Sequence, residues 1–325
     1  MNIFRERVLP EPGEPVGYAH LIDRFDLRVP LPPRLAVIAN RHHPQSTAEW
    51  QLLTPRHAPD ESLAGHLEFA IKWEGVRLEI LDAVFAVAPA DEMASIVRAK
   101  PTGKYSRRLW FLYEWLTGRQ LDVPDAGKIK STPVLDPELQ FAVNGGEPSV
   151  RHRVTNNLPG SRAFCPLVWR TPVLTANMEK GLDSRARDLI GRTHSEVTAR
   201  AAAYLLLGDS RASFQIEREK PSPQRAARWA RAIGEAGSRP LSIEELERLQ
   251  RIVIGDDRFV HLGLRTQGGF VGLHDRVTGE PIPDHISARH DDLAELLNGL
   301  IVFSERTLGG GMDAASTMHR CNASV

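Results

Sequence analysis

Leu241-Ser242-Ile243-Glu244-Glu245-Leu246 is the stretch that decides the fold class. A Ser with a Glu three residues later is a capping box: the Ser oxygen takes the Glu245 amide, and the Glu245 carboxylate reaches back to the Ser amide. Leu241 and Leu246 stand at the staple positions around it. Leu249, Ile252 and Val253 then continue one apolar face. The pattern predicts a helix starting at Ser242. Upstream, Gln224 to Ile233 reads as a second helix, with Trp229 and Ile233 one turn apart and Gly234 past its end. Val197 to Leu207 reads as a helix closed by Gly208. A separate short helix comes next through Ser213-Phe214-Gln215-Ile216-Glu217 and stops at Pro221. Downstream, Gly268-Gly269, Phe270-Val271-Gly272 and Thr278-Gly279 predict two short strands around a turn. Ser287 then suits the cap of a last helix, where Leu293, Leu296, Leu297, Leu300 and Ile301 keep helical spacing. Beyond Leu308 no period survives, so 309–325 reads as a disordered tail.

The first half is less regular. Residues 1–60 are rich in Pro and His, and Leu35-Ala36-Val37-Ile38-Ala39 is their one compact apolar run, short enough for a helix or a strand. From Asp60-Glu61-Ser62 a helix is expected, with Leu67, Ile71, Leu78, Leu81 and Phe85 along one stripe up to Pro89. Another helix is expected near Asp91, and a third from Arg107 to Thr117 with Gly118 as its stop. Seven prolines and the turn Asn144-Gly145-Gly146 mark 119–175 as an ordered connector, anchored by Phe141, Phe164 and Trp169. The expected architecture is mainly α. It has a helical domain over 1–180, a second helical block with a β-hairpin over 181–308, and the tail.

Composition narrows the function classes. The chain has 325 residues, 42% hydrophobic and 25% charged, and 41 basic residues balance 41 acidic ones. That balance supplies no global attraction to nucleic acid or to an anionic membrane, so neither is expected as a partner. Two cysteines make no disulfide framework, and Cys165 beside Phe164 reads as a small buried hydrophobe. No apolar signal core and no run long enough to span a bilayer occur, which makes a cytoplasmic protein the expectation.

The order of elements from 200 to 303, joined to Phe111-Leu112-Tyr113-Glu114-Trp115-Leu116 and the Pro-rich connector, resembles the Fic family of protein adenylyltransferases. By that resemblance, the implied activity is transfer of AMP from ATP, with Mg²⁺, to a Tyr, Ser or Thr hydroxyl of a protein substrate. A loop His would act as general base, and loop glycines would cradle the phosphates. Ser213 and Glu217 match the family's inhibitory motif, while Arg218 departs from its small final residue. The resemblance implies that Glu217 would pair with an Arg that otherwise grips the ATP γ-phosphate, because carboxylate and phosphate suit the same guanidinium fork. It also implies that Gly268, Gly269, Phe270, Val271 and Gly272 would form a flap docking the target segment by strand addition.

The family's catalytic loop, His-Pro-Phe-x-x-Gly-Asn-Gly-Arg, does not occur in this sequence. The one His-Pro pair, His43-Pro44, leads into Gln45-Ser46-Thr47. No catalytic residue is therefore assigned. The expectation is a truncated or frame-shifted family member, inactive as this chain and able to form homo-oligomers. A second expectation is a regulatory module offering Glu217 in trans to a complete Fic core. A third is an unrelated helical scaffold. Bland readings stand beside these assignments: Glu217 as a solvated carboxylate pairing with Arg211 or Lys220, and the flap as an ordinary surface hairpin. His274, His285 and His290 have no standard metal spacing, and no P-loop, dinucleotide fingerprint, HExxH or GxSxG occurs.

Overall fold

A computed structural model describes residues 3–40, 45–216, 220, 222–254 and 262–309. The chain is mainly helical and carries four small sheets of two or three strands among these residues. It divides into two units. Unit 1 contains Met1–Arg162 and Pro166–Arg170, and unit 2 contains Ala163–Cys165 and Thr171–Arg306.

Unit 1 begins with a minimal hairpin of β1 (Ile3–Phe4) and β2 (Arg7–Val8). The run Leu35–Ala39 is a strand, β4, and every residue in it is buried. It is the middle strand of a three-stranded sheet, antiparallel to β3 (Gly13–Val16) and parallel to β5 (Trp50–Leu53). A strand covered on both faces reads as a continuous apolar run, which explains why periodicity left its type open. A helix absent from the sequence reading, α1 (Tyr18–Arg24), comes directly after β3 and buries Tyr18, Ala19, Leu21 and Ile22. The N-terminal part is thus α plus β, rather than helical throughout.

The helix expected across 60–89 is broken in two. Its start holds: the Ser62 hydroxyl accepts from the Gly65 amide at 3.0 Å and caps α2 (Leu63–Phe69). One wide π-type turn (Ala70–Glu74) is next, then Gly75 at φ 82°, then α3 (Leu78–Val87). A Cβ at Gly75 would lie 2.9 Å from the Gln140 side chain, and the positive φ strains any other residue there. Next come α4 (Ala90–Ala99) and α5 (Lys104–Thr117), and the latter ends at Gly118 in the left-handed conformation, φ 68°. The connector is ordered as expected. β6 (Thr132–Pro133), β7 (Glu147–Ser149) and β8 (Val154–Asn156) form a sheet in the order β6-β8-β7.

Unit 2 contains α6 (Pro172–Glu179), α7 (Leu182–Arg192) and α8 (Ser195–Ile216). Gly208 lies inside α8, so the two helices expected on either side of it are one. An interior Gly costs a helix only about 1 kcal/mol, which a 22-residue helix carries without breaking. Likewise α9 (Pro223–Glu235) runs through Gly234, with Ser222 as its cap. α10 (Ile243–Ile254) starts where the capping box places it. β9 (Phe270–His274) and β10 (Pro281–Ile286) pair antiparallel. Ser287 does not cap a helix: its amide donates to the Gly269 carbonyl at 3.0 Å and closes the hairpin. The last helix, α11 (Leu293–Gly309), begins after one 3₁₀ turn, and Phe303 and Gly299 pack on Phe164. The tail expected over 309–325 lies, apart from Gly309 closing α11, outside the described residues.

Candidate functional site

The residues singled out for function all fall in unit 2. The face that α8 turns toward α9 is built by Ser210 and Phe214, four residues apart. The Ser210 hydroxyl, fully buried, donates to the Ala226 carbonyl at 2.8 Å. The Phe214 ring lies 6.0 Å from that of Trp229, with the Arg225 guanidinium over it at 4.7 Å. Ser213 sits beside this face and is half-buried. Its hydroxyl donates back to the Asp209 carbonyl at 2.9 Å, so it is satisfied within its own helix. Glu217 and Arg218 lie outside the described residues. The structure therefore places the Ser of the motif on the helix and leaves the position of the Glu unstated.

α9 and α10 are held together by charge. Arg248 donates to both oxygens of Glu245, at 2.7 and 2.8 Å, and to Glu235 of α9 at 2.6 Å. These bonds hold the Glu245 carboxyl below the usual range and push Arg248 up. The capping box is thus half made. The Glu245 amide donates to the Ser242 hydroxyl at 3.1 Å, but the Glu245 carboxylate serves Arg248. Arg228 reaches the last carbonyls of α10, Val253 and Ile254, at 3.5 Å.

The hairpin is the most exposed element. Val271 is 64% and Leu273 72% exposed, and both strands lack a further partner among the described residues. Gly272 is required. At φ 155° a Cβ there would stand 2.3 Å from the Ile282 carbonyl oxygen, at the point where the register shifts. Gly268 has open space around it, and Gly269 accepts the closing bond from Ser287. The tip is an Asx turn: Asp275 takes the amides of Val277 and Thr278 at 2.8 and 2.7 Å, which hold its carboxyl below the usual range. His274 and His285 lie on opposite strands and His290 beyond them, and no group of three metal-ligating side chains occurs among the described residues.

Unit 1 holds two buried polar clusters that sequence reasoning missed. In the first, consecutive amides at the start of α1 are taken by side chains from α2 and the π-type turn. Gly17 donates to His66 Nδ1 at 3.3 Å and Tyr18 to Glu74 Oε2 at 2.9 Å. Burial pushes Glu74 up to about 8 and lowers His66 to about 4, the latter helped by His20 and Arg24. The second joins the connector to α5. Glu114 accepts from Trp110 Nε1 at 2.7 Å and the Leu121 amide at 2.9 Å, and it pairs with Arg151 and His152. Burial pushes Glu114 up, but these partners outweigh it and hold the carboxyl below its usual range.

Ser149 Oγ meets His152 Nδ1 at 2.7 Å, so Ser, His and Glu form a hydrogen-bonded chain resembling a catalytic triad. Its environment argues against that role. The carboxylate is already neutralised by Arg151, and His152 is wedged against Trp110 and Phe111. The chain works as a clip fastening β7 and the loop after it to α5. Only the wide spacing of Glu114 from the Arg151-His152 pair hid it, since 37 residues separate partners with no local pattern between them.

Compared with known proteins, the chain matches no family model, no curated protein and no solved structure. No helix of the described residues is long and apolar enough to cross a membrane.

Proposed function

We propose that this chain carries part of a Fic-family protein adenylyltransferase fold without its catalytic loop, and that these 325 residues by themselves transfer no AMP. The observation that carries the reading is the apolar surface of unit 2. On α8, Tyr204 is 80%, Leu205 61% and Ile216 79% exposed, and neighbouring α7 leaves Leu189 and Ile190 in water. An amphipathic helix so uncovered is built to pack on something else. In the family, that role falls to the rest of the catalytic core, with its general-base His, its phosphate-cradling loop, and the ATP and Mg²⁺ held there. Element order supports the same reading: the helix with Ser213, then α9, capped α10, an exposed hairpin and α11.

On this reading Ser213 and Glu217 form the inhibitory helix, with Glu217 standing where the γ-phosphate would bind, and Arg218 loosens that grip. Gly268 to Gly272 form the flap. Its exposed edge at Phe270–His274 would take a substrate strand, and Gly272 lets the two backbones of the hairpin approach. The protein would act in the cytoplasm on a protein hydroxyl.

The test is incubation of the purified chain with labelled ATP, Mg²⁺ and a total protein extract, then gel autoradiography. No incorporation is expected, and transfer of AMP to any band would overturn the claim of inactivity. The same uncovered surface favours a second reading, a module that covers and restrains a complete Fic core in trans. Mixing the chain with an active core separates the two. A stable one-to-one complex with suppressed AMP transfer supports the module. Self-association or precipitation of the chain, with the core unaffected, supports the incomplete enzyme.

A further inference from the structure

An open pocket of 490 Å³ lies between α9 and α10, and its rim is arginine: Arg228, Arg231, Arg248 and Arg251 over an aliphatic floor of Ile252 and Ile254. The sequence sets this up. Arg228 and Arg231 stand one turn apart on α9, and Arg248 and Arg251 one turn apart on α10. Packing the two helices brings both pairs to one cavity. Four like charges so close repel one another unless each is balanced.

Among the described residues, two of them have close acceptors and two have only long ion pairs. Arg248 is enclosed by Glu245 and Glu235, with three bonds of 2.6 to 2.8 Å. Arg228 lies against the C-terminal carbonyls of α10, where a cation complements the helix dipole. Arg231 meets Glu235 only at 3.7 Å, and that carboxylate already serves Arg248. Arg251 meets Glu247 only at 3.8 Å. Both contacts are beyond hydrogen-bond length, and both side chains are about 60% exposed, 61% and 59%. Among the described residues, two guanidinium forks therefore face one pocket without a close acceptor.

The geometry points to an anion site, in which Arg231 and Arg251 clamp a phosphate group, free or as a small phosphomonoester, across the α9–α10 pocket. A guanidinium presents paired N–H donors that match two phosphate oxygens, and a dianion offsets the repulsion between the two helices. Ile252 and Ile254 offer the organic part of an ester an apolar wall. The site uses no residue of the inhibitory motif or the flap, and stands whether or not the Fic reading does.

The experiment is thermal unfolding of the full chain with sodium phosphate against sodium chloride at matched ionic strength, with titration calorimetry for affinity. Phosphate should raise the unfolding temperature where chloride does not. Arg231→Ala with Arg251→Ala should weaken phosphate binding about tenfold or more, because charge-assisted bonds are lost. Without phosphate, the double variant should unfold at the wild-type temperature or above it, since the repulsion is relieved. Arg251→Lys keeps the charge but loses the fork, and should fall between the two. Tighter binding of phenyl phosphate than of inorganic phosphate identifies an ester as the ligand class, and equal binding identifies free phosphate. Equal stabilisation by phosphate and chloride, or undiminished binding by the double variant, overturns the site.

Discussion

The two units solve the same problem differently. Unit 1 buries its large side chains: Trp50, Trp110, Tyr18, Tyr113 and Phe85 are at most 1% exposed. Unit 2 has six helices and a hairpin, yet Phe214 and Phe303 are the large apolar side chains it buries among the described residues. Tyr204, Ile216, Val277 and Ile286 stand in water instead. Regular secondary structure and a finished core are separate achievements. Helix starts and turns are local and form wherever the caps are present, but burial needs the matching surface. Unit 1 has that surface within its own chain, and unit 2 leaves its own uncovered.

Substitutions can break this contrast, beginning with the largest effect. Glu114→Ala should cost unit 1 about 2–3 kcal/mol, because His152 and the Trp110 N–H lose their shared acceptor, while Arg151 keeps Asp125 and the Leu121 carbonyl. Urea unfolding monitored by tryptophan fluorescence measures it. A loss under about 1 kcal/mol would mean the connector is only loosely fastened to α5.

Next comes pH. Glu74 has its pKa raised in the fold to about 8, so its contribution is full below the ordinary carboxylate value of 4.5 and is lost as pH rises through 8. His66 is lowered from 6.5 to about 4, so its contribution is present above 6.5 and lost as pH falls through 4. The two slopes oppose each other between pH 4.5 and 6.5, so unit 1 should be most stable in that window and lose stability on either side. Glu74→Gln should flatten the alkaline side, so that the variant overtakes the parent above pH 8 in a melting-temperature series. An unchanged alkaline slope would remove Glu74 as its cause.

Proteolysis comes third. A brief trypsin digest should cut between 171 and 306 before it cuts at Lys104, Arg107 or Arg108 of α5, since unit 2 has few buried contacts to hold it closed. Even resistance across both units would erase the contrast. The smallest effect belongs to Leu205→Lys on α8. At 61% exposure it should shift stability by no more than about 0.5 kcal/mol. It should nonetheless reduce self-association in sedimentation, because it breaks the uncovered stripe. A large loss of stability would show that α8 is covered after all.

How much of this was legible depended on the range of the cause. Ser62, Gly118, Ser242 and the Asp275 tip act within a few residues, and each is where the sequence reading puts a start, a stop or a turn. Helix α1 was missed because a seven-residue segment among prolines has too few turns to show a period, and its stability comes from burial under β4, α2 and α3. Gly75 and Gly208 look alike in a sequence. Gly75 ends a helix because Gln140, 65 positions away, presses against it. Gly208 has open space around it and ends nothing. In the candidate site, the helical placement of Ser213 and the two hairpin strands were legible from local pattern. The arginine pocket was not, because its two pairs lie 20 residues apart on different helices and meet only through packing.

The Gln140 side chain behaves like a piece of β-strand. Its oxygen accepts from the Val76 amide at 2.7 Å and its nitrogen donates to the Val76 carbonyl at 2.9 Å. Trp169 adds a bond to the Glu74 carbonyl at 3.0 Å. These stitches span 64 and 95 residues of chain, and they close over the turn that seats Glu74 beneath α1. During synthesis, then, the first hundred residues emerge with that turn still open and its carbonyls unmet. The turn can lock only once Trp169 has emerged from the ribosome, which makes the proline-rich stretch a late stage of unit 1's folding.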